Sequence, residues 1–169
     1  MRIAVAVLAA VLGSCGYQTA GKGSLLPPNL KSVSIPAFGN TTARYKLTDV
    51  MPQAFANEFI AHTRYRVVSN PGQADMILEG NILTYAFNPT IFDPVAQRAN
   101  VADLRVTLQV KLVERATGKV LYQQATFEVK ESYQISPDAS AYFEESDLAL
   151  RRASERVAQR VVTAILENF

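Results

Sequence analysis

Residues 104–112 alternate Leu104, Val106, Leu108, Val110 and Leu112 with Arg105, Thr107, Gln109 and Lys111. A period of two is the signature of a strand with one face in a core and one face in water. The segment "ERATGKV" then turns the chain, with Gly118 free to adopt positive φ. "VLYQQATFEVKE" returns as the antiparallel partner, in which Leu121, Ala125, Phe127 and Val129 are expected to share the apolar side with Gln123. A long hairpin that is apolar on one face has to be covered on that face, so the rest of the chain must supply a second layer.

Two helical patterns can supply it. Leu47, Met51, Ala54, Phe55 and Phe59 fall on one face of a helix running to about Thr63, with Thr48 or Asp49 as its cap. Pro52 is compatible with that helix only in its first turn, where the missing N–H has no intrahelical role. A longer helix begins near Ala141 and repeats Leu150, Ala153, Val157, Val161, Ala164 and Ile165 at spacings of three and four. Its early Glu144, Glu145 and Asp147 suit the positive end of the helix dipole.

Shorter elements lie between. "KSVSIPAF" predicts a strand with Val33 and Ile35 alternating against Ser32 and Ser34 until Pro36, "GNTTARY" a turn, and "YRVVS" a short strand. "NPGQAD" supplies turn chemistry before the strand-like "MILEGNILTY". Residues 86–100, "AFNPTIFDPVAQRAN", carry two prolines and two asparagines without periodicity and read as a long loop, mobile or ordered by a partner.

The amino terminus is of a different kind. Arg2 precedes an apolar or small run from Ile3 to Leu12, too short to span a bilayer, and Leu12-Gly13-Ser14-Cys15 follows. This is a secretory signal peptide over residues 1–14 ending in a bacterial lipobox, so Cys15 is expected to be diacylated and to become the first residue. Two or more acyl chains give stable anchoring without a transmembrane helix. Residues 15–30 then form the lipidated start and a short Gly-, Ser- and Pro-rich linker, about 50 Å if extended but about 20 Å on average as a coil. Residues 31–169 are one domain.

Removal of residues 1–14 leaves 155 of 169 residues, with 16 basic side chains once Arg2 is gone against 15 acidic ones. So balanced a chain lacks the concentrated basic character that nucleic-acid binding demands. After Cys15 the chain has no cysteine, and core packing has to hold it without disulfides. His62 is the one histidine, placed at a helix end, so Ser/His/Asp, Cys/His and His-based metal sites lack members. Gly21-Lys22-Gly23 has no strand before it or helix after it and is no phosphate loop. The reading is of a protein that is not an enzyme and needs no metal or cofactor.

Two basic sets remain. Arg105, Lys111, Arg115, Lys119 and Lys130 gather around the hairpin, and Arg152, Arg156 and Arg160 line one helical stripe at i, i+4, i+8. Either set is a solvated face, the helical one partly neutralised by Glu155 and Glu167, or a docking surface for acidic partners or lipid phosphates.

"VSIPAFGNTT", a helix, "ADMILEGNIL", a long hairpin and the final "LALRRASERVAQRVVTAI" helix, in that order behind Cys15-Gly16-Tyr17, together resemble the lipopolysaccharide-assembly lipoprotein family, LptE. The resemblance implies an α/β (α+β) two-layer sandwich, with two helices on one face of a mostly four-stranded mixed or antiparallel sheet. It also implies a role as plug and assembly partner of the outer-membrane β-barrel LptD, with lipopolysaccharide as ligand. On that reading the hairpin set contacts lipopolysaccharide and the helical row docks on the partner, at the outer membrane. "IPAFGNTT" and "ADMILEG" also resemble, loosely, lipoproteins that activate cell-wall synthases or build secretion channels. A synthase activator needs a longer tether than this linker, and lipid-facing strands would not tolerate Lys111 and Lys130.

Overall fold

The alternation from Leu104 to Leu112 becomes an inner strand of a mixed sheet. In the computed structural model, which describes residues 27, 29–93, 98–135 and 139–167, the chain runs β1 (Ser32–Ser34), β2 (Gly39–Asn40), α1 (Leu47–His62), β3 (Arg66–Val67), a single 3-10 turn at Pro71–Gln73, β4 (Met76–Asp93), β5 (Arg98–Glu114), β6 (Val120–Gln134) and α2 (Ala139–Glu167). The expected signal peptide, Cys15 and most of the linker lie outside the described residues.

Strand order is β3-β1-β4-β5-β6, with β2 pairing β4 further along. β4, β5 and β6 are antiparallel neighbours, whereas β1 joins β4 and β3 joins β1 in parallel. The expected four-stranded sheet is therefore β1, β4, β5 and β6, and the two-residue β2 and β3 bring the total to six. Leu104, Val106, Leu108, Val110 and Leu112 are all fully buried, as are Leu47, Met51, Phe55 and Phe59 of α1 and Val157, Val161 and Ile165 of α2. Both apolar stripes thus close on the same core.

Lys46, before α1, pairs with Asp147 of α2, and further along Val50, Ala54 and Asn57 share a groove with Arg151 and Glu155. The two helices therefore run parallel, side by side.

Several local expectations are corrected. The described parts of residues 86–100 are strand, not loop: β4 continues to Asp93 and β5 begins at Arg98, paired from Phe92↔Ala99 and Asp93↔Arg98 onward. Pro89 and the register shifts beside it are accommodated because that stretch of β4 has β5 on one side and no described strand on the other. In β6 a register shift separates Leu108↔Phe127 from Val110↔Gln124. The extra residue flips the faces, so Tyr122 is buried with Val129, while Leu121 is half-buried and Ala125 and Gln123 are exposed. Ser32 and Ser34, expected on a wet face, are buried because β1 lies between β3 and β4.

Helix α1 starts with Lys46 at its N-cap and no side-chain cap, so neither Thr48 nor Asp49 plays that part. Its first turn closes by i→i+3 bonds such as Leu47 N–H to the Arg44 carbonyl (3.1 Å). Pro52 is the sixth residue of the element, one turn later than the sequence alone suggested. Gly118 adopts φ of 70°, as its turn required.

Candidate functional site

The helix-free face of the sheet carries the basic hairpin residues in pairs. Arg105 and Lys130 stand directly opposite in the β5–β6 register, and each is drawn diagonally to an acid. Lys130 Nζ lies 2.7 Å from Asp103 Oδ2, and Arg105 Nε lies 3.5 Å from Glu128 Oε1. Lys111 Nζ is 3.6 Å from Glu79 Oε2 across the β4–β5 pair. The Lys130 contact, and then the hydroxyl of Ser132, hold the Asp103 carboxyl below the usual carboxylate range. These are surface pairs, with the Asp103 carboxylate alone largely covered, and they hold register and neutralise the face more than they add stability. A shallow depression of about 290 Å³ opens there between Glu79, Gly80, Asn81, Gln109 and Lys111.

Arg115 and Lys119 lie elsewhere, in the β5–β6 turn. Arg115 donates from Nε to the Ala74 carbonyl (2.6 Å) and from its backbone N–H to the Asp75 carbonyl (2.9 Å), so its side chain fastens the turn to the entry of β4. Lys119 uses its backbone groups within the turn, and its ammonium has no partner among the described residues. The five residues thus form one neutralised ladder and one separate turn, not a single site.

Asp75 anchors that turn. Its Oδ2 accepts from the backbone N–H of Lys31 (2.8 Å) and of Ser32 (3.0 Å) and from the Ser32 hydroxyl (2.9 Å). The Lys31 hydrogen bond, the Ser32 hydroxyl and N–H, and the nearby Arg115 together hold its carboxyl below the ordinary range.

On the helical layer, Arg156 Nε meets Glu131 Oε2 at 2.9 Å, and Glu131, in β6, is only 8% exposed. Arg152 and Arg160 lie one turn to either side on the same stripe. A groove of about 360 Å³ is lined by Glu58, Glu131, Arg152, Glu155, Arg156 and Gln159. Of the row, Arg156 therefore reaches the edge strand β6, and the groove beside it extends to Glu58 of α1. Glu131 was missed in the sequence, although a carboxylate in phase with Phe127 and Val129 in a strand is a signal that a cation must meet it. His62 closes α1, exposed, 3.5 Å from Glu58.

Residues 30–165 match the model of the LptE family, whose description is lipopolysaccharide-assembly. None of the curated protein sequences matches the chain. Among solved structures, lipoprotein B of Nitrosomonas europaea superposes with a TM-score of 0.56 at 14% identity, over 89% of this chain and 90% of that one. Rare lipoprotein B of Shewanella oneidensis gives 0.50 at 14% identity, over 80% and 95%. A minor lipoprotein of Acinetobacter baumannii gives 0.51 at 16% identity, over 82% and 94%. At these identities the likeness is one of fold.

Proposed function

The chain belongs to the LptE family of lipopolysaccharide-assembly proteins, and from that membership we propose that it is an outer-membrane lipoprotein serving as plug and assembly partner of an LptD-type β-barrel. In that role it binds lipopolysaccharide on its way to the cell surface. The observation that carries this reading is the match over residues 30–165, which takes in every described strand and nearly all of α2.

Physical features support it. No helix among the described residues is long and apolar enough to cross a membrane, so attachment falls to acylated Cys15 and its short tether. The interior of a large outer-membrane barrel is polar. A sheet face whose charges are already paired, as in Lys130–Asp103 and Lys111–Glu79, can lie against such a wall without stranding an ion. At the turn, Lys119 offers an ammonium suited to a lipid phosphate.

Purification of the full chain from its native membrane in mild detergent tests the reading. A β-barrel recovered in equal amount, with lipopolysaccharide retained, is the expected result. A cell-wall synthase in the barrel's place would overturn it.

A further inference from the structure

We infer that the end of the domain where the tether enters is a membrane-facing surface: Lys31, Arg64, Arg66 and Lys119 rest on the anionic headgroups of the leaflet that holds the Cys15 acyl chains, and so fix which end of the domain points at the bilayer. This goes beyond the barrel partnership, and it rests on the acylated Cys15 proposed above.

Three segments far apart in sequence meet at this end around Asp75. Its carboxylate accepts from the backbone N–H groups of Lys31 and Ser32, and its carbonyl accepts from the N–H of Arg115. The N–H of Arg66 in turn donates to the Lys31 carbonyl at 2.9 Å. The start of β1, residues 64–66 after α1 and the β5–β6 turn are thereby held side by side. Lys31, Arg64, Arg66 and Lys119 are all exposed, and none has an acid within ion-pair distance among the described residues. The acids beside them are engaged already, Asp75 by its hydrogen bonds and the nearby Arg115, and Glu114 by the Thr117 hydroxyl at 2.5 Å. Even with Glu167 at the end of α2 counted, cations outnumber acids here. On the open sheet face the balance differs, since Arg105, Lys111 and Lys130 each meet an acid. An unpaired cation is comfortable in water and gains about fivefold in affinity when a layer of lipid phosphates comes near.

The tether supplies the direction. Residues 15–30 average about 20 Å as a coil, and they lead into buried Leu30 and then Lys31, so the acyl chains reach the domain at this end. Two exposed apolar side chains stand among the cations: Ile60, in the last turn of α1, is 62% exposed, and Val120, next to Lys119, is 43% exposed. Cations flanked by apolar side chains suit the boundary between headgroups and acyl chains. Tyr45 lies at the far end of α1, about 24 Å away along a helix of 16 residues.

The test uses the acylated full chain in vesicles, with a dye on a cysteine introduced at Ala116 or at Tyr45 and an acceptor dye among the headgroups. In vesicles containing phosphatidylglycerol, the dye at Ala116 should transfer energy more efficiently than the dye at Tyr45. The difference should shrink in phosphatidylcholine, which offers no net charge, and at high salt, which screens it. The paired change Arg64→Ser and Arg66→Ser should reduce the population facing the bilayer about twentyfold with unfolding unchanged, the size expected for two cations lost from an anionic surface. Equal transfer from the two positions in phosphatidylglycerol would overturn the proposal, as would a preference of the same size in both lipids and in the paired variant. So would a preference that appears only when lipopolysaccharide is added, which would assign these cations to that ligand. Flotation with phosphatidylcholine vesicles reports the anchor separately. A chain that floats with phosphatidylglycerol alone lacks the acyl chains but keeps the charged end, and one that floats with neither lipid ends both readings.

Discussion

The ring of Phe38 lies against the backbone of Gly80, so close that a Cβ built on the glycine would stand 2.3 Å from Phe38 Cε2. The ring cannot step aside: it is 2% exposed and packs tilted on Phe55, with centroids 5.4 Å apart. Gly80 is therefore an absent side chain that lets the β2-side loop cover β4. Gly80→Ala should destabilise by about 1–3 kcal/mol through overpacking, and Phe38→Ala by about 3–5 kcal/mol through the cavity it leaves. The double variant should cost less than the two together, since removing the ring makes room for the methyl. Urea unfolding measures this, and strict additivity would disprove the contact's role.

Asp75 sets an acid limb of stability. Hydrogen bonds from Lys31 and Ser32 lower its folded pKa below the unfolded value, so its contribution is complete above the ordinary carboxylate range. It is lost as pH falls through that range toward the folded value, because the unfolded chain takes up the proton first. Asp75→Asn should cost about 1–2 kcal/mol at neutral pH, the size of charged hydrogen bonds weakened at a half-exposed site. It should also flatten the fall in stability between about pH 5 and pH 3, although Asp103, shifted the same way, keeps some slope. An unaltered acid limb in the variant would assign the slope to other carboxylates.

Legibility followed periodicity. The β5 alternation and both helix stripes were plain because each repeats over several turns or pleats, and every one of Leu47, Met51, Ala54, Phe55 and Phe59 is buried. What periodicity could not show was the strand from Ala86 to Asp93, where Asn88 and Pro89 imitate a loop and only pairing with β5 holds the chain extended. The β6 bulge was hidden for a related reason. Alternation read across an inserted residue assigns the wrong side, so Leu121 and Ala125 were expected where Tyr122 packs. Among site residues, both basic sets were visible as charges, but their acids were not: Lys130 finds Asp103 and Arg156 finds Glu131 only through strand register and helix placement.

The turn residues Arg115 and Lys119 should separate structure from binding. Arg115→Ser removes the 2.6 Å bond to the Ala74 carbonyl and a charge near Asp75, and should cost about 1 kcal/mol of stability. Lys119→Ser should leave stability within about 0.5 kcal/mol, as is usual for a surface change, while weakening lipopolysaccharide binding at low salt more than at moderate salt. Binding to lipopolysaccharide vesicles, followed alongside thermal unfolding, distinguishes the two. If Lys119→Ser binds as the parent does at both salt concentrations, the turn is a solvated surface and the ligand contacts lie elsewhere.

Cys15 tests the anchor. A basic residue, an apolar run and Leu12-Gly13-Ser14 before the thiol predict that the exported chain begins at residue 15 with acyl chains attached. Each buried methylene contributes about 0.8 kcal/mol, so two chains hold the domain at the membrane while one gives only marginal binding. The linker limits excursion to about 20 Å on average, and no described part of the folded domain depends on the thiol. Cys15→Ala should therefore keep the unfolding midpoint of the domain and shift the chain, expressed without its barrel partner, from the membrane to the soluble fraction. Mass spectrometry of the native protein should find an acylated residue 15 at its amino terminus. An intact Met1 in the exported protein, or a Cys15→Ala variant that stays on the membrane without any partner, would place the anchor elsewhere in the chain.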